Sequence, residues 1–180
     1  MQANLDFRDT APAFEVEAVK VRTAPLTHPG GCLGYRLEAN GSTFVLATDS
    51  ELDLGVLNKE EVQADLRAPR RYEPSLLEFF RGANLLVVDC QYTDAEYQLK
   101  RGWGHNSIAA VVDLAGQARP DVLVLCHHDP EHADEKVEEM VNDVSARLEQ
   151  AGVSGMLVMA VREQLTMRVG KPRPPLALPR

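Results

Sequence analysis

From Phe14 the chain alternates apolar with charged residues through Phe14-Glu-Val-Glu-Ala18, the two-residue period of a strand with one covered face. The alternation resumes one residue out of phase at Val19-Lys-Val-Arg22, which predicts a bulge near Ala18. Leu33–Glu38 and Phe44–Ala47 are two further apolar segments, joined by Ala39-Asn40-Gly41-Ser42. Asn-Gly is a strong hairpin signal, because a type I′ turn needs positive φ at both central residues. The two segments should therefore pair as antiparallel strands around a tight turn.

Past residue 70 the spacing changes. Pro74–Phe80 reads as a short helix stopped by Gly82, and Leu85–Val88 as a buried strand running into Asp89. Thr93, with Glu96 three residues on, makes a capping box for a helix ending near Lys100. Asn106 or Ser107 caps the next helix, which carries Ile108, Val111, Val112 and Ala115 on one stripe. Val122–Cys126 is a buried strand. Asp134–Gln150 is the clearest helix, with Val137, Met140, Val141, Val144 and Leu148 on one face. Met156–Val161 closes as a last strand. Residues 1–169 then form one domain, and the proline-rich stretch 170–180 is expected to be a disordered tail.

The length of 180 residues suits a single core rather than two. A net charge of −8 argues against broad phosphate-backbone binding, so nucleic acid is the less favoured partner. The basic cluster Arg67, Arg70 and Arg71 reads as a solvated face. Three cysteines without paired spacing fit a reducing compartment, with Cys90 and Cys126 as small buried hydrophobes. The chain opens without a signal-peptide pattern and has no run near the ~18 apolar residues that span a bilayer. The expectation is a cytoplasmic protein without a membrane partner.

All five histidines fall in three short segments. These are Thr27-His28-Pro29-Gly30-Gly31, Gly102-Trp103-Gly104-His105-Asn106-Ser107 and Cys126-His127-His128-Asp129-Pro130-Glu131-His132. Asp49, in Ala47-Thr48-Asp49-Ser50, adds a carboxylate. Imidazole and carboxylate at strand ends are the donors that zinc or manganese take. His105 stands just before a helix start, where a phosphate is favoured and an imidazole can protonate a leaving alkoxide. His128 and His132 read equally as rings at a helix start without a chemical role.

Taken in order, Thr-His28-Pro-Gly-Gly-Cys, Ala-Thr-Asp49-Ser-Glu, Asp89-Cys-Gln-Tyr-Thr-Asp, Gly-Trp-Gly-His105-Asn-Ser and Leu-Cys-His127-His-Asp-Pro-Glu-His resemble one family. They look like the second half of metallo-β-lactamase-fold hydrolases, of the ribonuclease Z-like and cyclic-nucleotide-phosphodiesterase-like kinds, from about Asn4 to Val169. The resemblance implies an α/β fold, half of an αββα sandwich, with antiparallel strands followed by alternating strands and helices. It implies two divalent metal ions, zinc or manganese, with His28 a ligand of one, His127 of the other and Asp49 bridging both. His105 would be the general acid or phosphate-polarising residue, and Asp89 would orient its imidazole. His128, Asp129 and His132 would support the ligands from behind. The implied activity is hydrolysis of a small phosphodiester such as a cyclic nucleotide. Transfer RNA is disfavoured by the acidic charge and the short span from His28 to Asp49.

One departure stands against this pattern. The family's His-x-His-x-Asp-His run, which supplies most of its metal ligands, occurs nowhere in the sequence. Three ligands divided between two ions should leave the chain alone with weak metal binding or none, and inactive. Three readings stay open: a chain that has lost upstream sequence, a second copy or partner supplying the missing half, and a non-catalytic interaction module without metal. Half a sandwich should also expose an apolar sheet face and self-associate.

Overall fold

A computed structural model of the protein describes residues 10–170. Seven strands form one sheet whose spatial order is the chain order. β1 (Ala13–Val16), β2 (Val19–Leu26), β3 (Cys32–Ala39) and β4 (Ser42–Ala47) pair antiparallel. β5 (Leu85–Asp89), β6 (Val122–Cys126) and β7 (Leu157–Ala160) continue the sheet in parallel. A single 3-10 turn, Leu52–Leu54, and the helices α1 (Lys59–Ala64), α2 (Pro74–Phe80), α3 (Asp94–Lys100), α4 (Ile108–Ala118) and α5 (Asp134–Gln150) fill the connections. The half-sandwich expected from the sequence is the fold observed.

Local chemistry accounts for most boundaries. Asn40 and Gly41 both take positive φ, 52° and 72°, as the Asn-Gly turn requires. The Thr93–Glu96 capping box is formed in full, and Ser107, not Asn106, caps α4 by accepting from the Ala110 amide. The expected bulge near Ala18 is instead a two-residue hairpin turn, because Val16 pairs with Val19 and Glu17 takes a φ of 53°. The slipped alternation is the signature of that turn. Val16 and Val19 face each other across it, so Phe14, Val16, Val19 and Val21 share one side. The basic cluster is also corrected: Arg70 is only 3% exposed and holds Asp53 through two contacts of 2.6 and 3.0 Å. Arg67 and Arg71 remain exposed. The expected tail, apart from Gly170, lies outside the described residues.

The sheet's two faces fare differently. From β4 to β7 each strand adds on the same side of the last, so right-handed crossovers put their helices on one face. There Val45, Leu86 and Leu123 align across the strands, as do Ala47, Val88 and Leu125. They pack with Phe79, Phe80, Val111, Leu114, Met140, Val144 and Leu148 into the main core. On the other face one apolar row crosses all seven strands through Phe14, Val21, Leu37, Phe44, Leu85, Val122 and Leu157. Coverage of that row is uneven: Val21 and Leu85 are each 6% exposed, whereas Leu157 and the neighbouring Val16 stay 56% and 55% exposed. The segment after β7 returns toward β4, where Gly170 lies beside Ser42. Among the described residues no helix is long and apolar enough to cross a membrane.

Candidate active site

Strand direction brings the chemistry together. β2 and β4 run parallel to β5 and β6, so all four end at one edge of the sheet. His28 follows β2, Asp49 follows β4, Asp89 ends β5 and His127 follows β6. The loop after α3 brings in His105 from the same side. Two of these residues sit where the backbone leaves its strand in the left-handed region, Asp49 at φ 52° and His127 at φ 56°. Such positions are strained for residues other than glycine and persist where surrounding structure demands them.

The five side chains form one cluster. His28, Asp49 and His105 each place a donor atom within 4.8 Å of the others, and so do Asp89, His105 and His127. His127 Nε2 lies 3.5 Å from Asp49 Oδ1, which puts Asp49 between the two outer histidines. The His105 and His127 rings stack at 4.5 Å, and His28 meets His105 edge-on at 5.8 Å. His28 Nδ1 accepts from the Gly30 amide at 3.2 Å, which leaves its Nε2 for the site.

His105 is the most firmly held. Its Nδ1 lies 2.7 Å from Asp89 Oδ2, while Asp89 Oδ1 accepts from the Asn106 amide at 3.0 Å. Asp89 is fully buried, and burial pushes its carboxyl above the usual range while these two hydrogen bonds pull it back. A His fixed through Nδ1 presents Nε2 outward, the geometry of a proton donor or ligand whose orientation is set from behind.

Several residues that complete the site stood in the quoted sequence motifs without an assigned role at the site. Glu51 is fully buried, and its carboxylate accepts from the Tyr97 hydroxyl and from the Gly102 and Gly104 amides at 2.8, 2.8 and 2.9 Å. It pins the loop that carries His105. Asn106, expected only as a cap, donates to the Asp89 carbonyl and the Ser50 hydroxyl, and accepts from the Leu52 amide. Gly104 packs so closely that a Cβ there would fall 2.2 Å from His28 Cδ2. The Tyr92 ring borders His105 at 6.0 Å. A buried carboxylate and a buried amide look like any other polar residue in a sequence, and only their neighbours distinguish them.

His128, Asp129 and His132 form contacts of their own. His132 Nε2 meets Glu96 Oε1 at 2.9 Å, and Asp129 accepts from Lys100 Nζ at 2.7 Å and from the Glu131 amide. His128 lines a groove with Val137, Val141, Val158 and Arg162, and burial pushes its pKa down. Among the described residues no hydrogen bond joins these three to the cluster. The cluster's imidazoles and carboxylates fit zinc or manganese by donor chemistry. Their number falls short of two full coordination spheres, because His105 is shared and Asp89 already accepts two hydrogen bonds.

Comparison with known proteins bears on the fold that holds this cluster. Residues 1–128 match the family described as a β-lactamase superfamily domain. The structure resembles the metallo-β-lactamase fold protein YhfI from Bacillus subtilis, with a TM-score of 0.55 and 16% identity over 84% of this chain and 51% of that one. It also resembles human tRNase Z, short form, with a TM-score of 0.56 and 14% identity over 89% of this chain and 48% of that one. A diphosphatase of the PhnP family gives 0.52 and 15%, over 84% of this chain and 44% of that one. The chain thus spans about half the length of these structures. No curated protein sequence matches it.

Proposed function

The chain belongs to the β-lactamase superfamily domain family, and from that premise we propose that it is part of a metal-dependent phosphodiester hydrolase acting on a small phosphodiester such as a cyclic nucleotide. In this reading the chain supplies only part of a two-metal site. His28, Asp49 and His127 would hold the ions, zinc or manganese, with Asp49 between them. Bound there, such ions supply positive charge to a phosphoryl group and its attacking water. His105, fixed by Asp89 at Nδ1, holds its Nε2 toward the substrate and gives a proton to the leaving oxygen.

The observation that carries the reading is the buried Asp89 carboxylate locking His105 while donors of His28, Asp49 and His127 crowd the same sheet edge. The test is binding of zinc, then of cyclic adenosine monophosphate, by calorimetry to the chain completed by a segment that supplies the missing His-x-His-x-Asp-His ligands. Binding of both, with Asp49→Ala losing both, supports the reading. Absence of both overturns it.

A second reading is favoured by the partly exposed apolar row and by the missing His-x-His-x-Asp-His run. It is a non-catalytic module that uses this sheet face for docking and holds no metal. Such a module would bind neither zinc nor nucleotide and would keep its partner after Asp49→Ala.

A further inference from the structure

Trp103 sits in the middle of Gly102-Trp103-Gly104, immediately before Gly104-His105, and is 61% exposed. Exposure of an indole on a mobile loop would mean little, but this loop is fixed. The buried Glu51 carboxylate takes the amides on either side of Trp103, one on each oxygen, at 2.8 and 2.9 Å. Both flanking glycines hold positive φ, 84° and 98°, and Gly104 abuts the His28 ring. The backbone is therefore pinned while the largest apolar side chain of the protein is held out in water, an arrangement that burial energetics oppose.

Its neighbours lead inward. Lys100 Nζ lies 6.0 Å from the centre of the Trp103 ring and 4.7 Å from that of Tyr92, steadied by Asp129 Oδ2 at 2.7 Å. Tyr92 in turn borders His105 at 6.0 Å. Trp103, Lys100 and His105 make a wall from rim to imidazole, backed by the buried Tyr92 ring.

We propose that Trp103 is a stacking platform for the base of a nucleotide whose phosphate is held at the His105 end of that wall. The inference rests on the phosphodiester reading above and narrows it, since a non-aromatic phosphoester would gain nothing from the indole. Base–aromatic stacking is tolerant of base identity, so the platform selects nucleotides as a class rather than one of them.

The sequence contains one tryptophan, so all indole emission reports this ring. Cyclic adenosine monophosphate added to the zinc-loaded protein, completed by a tryptophan-free segment that supplies the missing ligands, should quench that emission saturably, while ribose 5-phosphate should bind without quenching. Trp103→Ala should weaken nucleotide binding by roughly 5- to 150-fold, the range of one base stack, and leave ribose 5-phosphate unchanged. Trp103→Phe should restore most of the loss. If Trp103→Ala leaves nucleotide affinity intact, or weakens both ligands equally, the platform is wrong while the phosphodiester reading stands. If neither ligand binds the completed, zinc-loaded protein, the phosphodiester reading fails and takes the platform with it.

Discussion

Replacing single residues at the sheet edge should separate holding a metal from moving a proton. In the proposed enzyme, completed by its missing ligands, Asp49→Ala and His127→Ala should lose metal and activity together, read by metal analysis beside turnover. His105→Ala should keep the metals and lose about 10²–10⁴-fold in rate, the usual worth of a general acid. That loss should shrink for p-nitrophenyl esters, whose leaving group needs no proton, and Asp89→Asn should be milder because it disturbs orientation alone. A His105→Ala protein stripped of metal would make His105 a ligand instead, as its membership of both donor clusters allows. Gly104 gives a sharper steric test. An alanine there would clash with the His28 ring and keep a φ of 98°, which costs about 1–3 kcal/mol and displaces His28. Gly102→Ala has the same kind of backbone, φ 84°, but open space around its Cβ. Urea titration should show both variants destabilised, and zinc titration should show only Gly104→Ala weakened.

At the scale of elements, connections between helices carry the testable energy. Arg70 follows α1 and reaches Asp53 in the 3-10 turn, both nearly inaccessible to water. Arg70→Ala leaves that carboxylate buried and unpaired, which should cost about 3–5 kcal/mol. The neighbouring Arg71 has an exposed pair with Glu61, and Arg71→Ala should change stability by no more than about 1 kcal/mol. The end of α3 is tied to the turn after β6 through Lys100 and Asp129. The Lys100 hydrogen bond holds the Asp129 carboxyl below its ordinary value of 3.8. A carboxylate lowered by folding stabilises the protein above its unfolded pKa, and that contribution disappears as pH falls through the lowered value. Wild type should therefore exceed Lys100→Met in urea midpoint at neutral pH, and the gap should close as the pH drops below 3.8. A gap that persists unchanged at pH 2 would mean Lys100 acts through packing on Tyr92 rather than through charge.

For the whole molecule, the decisive feature is a sheet with helices on one face and a partly exposed apolar row on the other. The apolar row from Phe14 to Leu157 should draw isolated chains together, since such a surface resembles a domain core cut in half. Sedimentation at roughly tens of micromolar should show dimers or larger species, and Leu157→Lys or Phe14→Lys should shift them toward monomer. A stable monomer that binds no hydrophobic dye would end this expectation. Much of the architecture was already legible in the chain. Periodicity and caps fixed α2 through α5, the Asn40-Gly41 hairpin and the apolar β5 and β6, because each depends on residues a few positions apart. The histidine segments likewise marked the strand ends that carry His28 and His127 and the helix start beside His105. Tertiary structure decided the remainder. The out-of-phase step at Ala18 became a turn only through its pairing partner, and Arg70 became a buried residue only because Asp53 folds over it. Glu51 became the clamp on the His105 loop because the end of β4 and the loop after α3 meet across the sheet. Short-range preferences are written in local spacing, whereas a buried charge or a shared site exists only once distant strands have aligned.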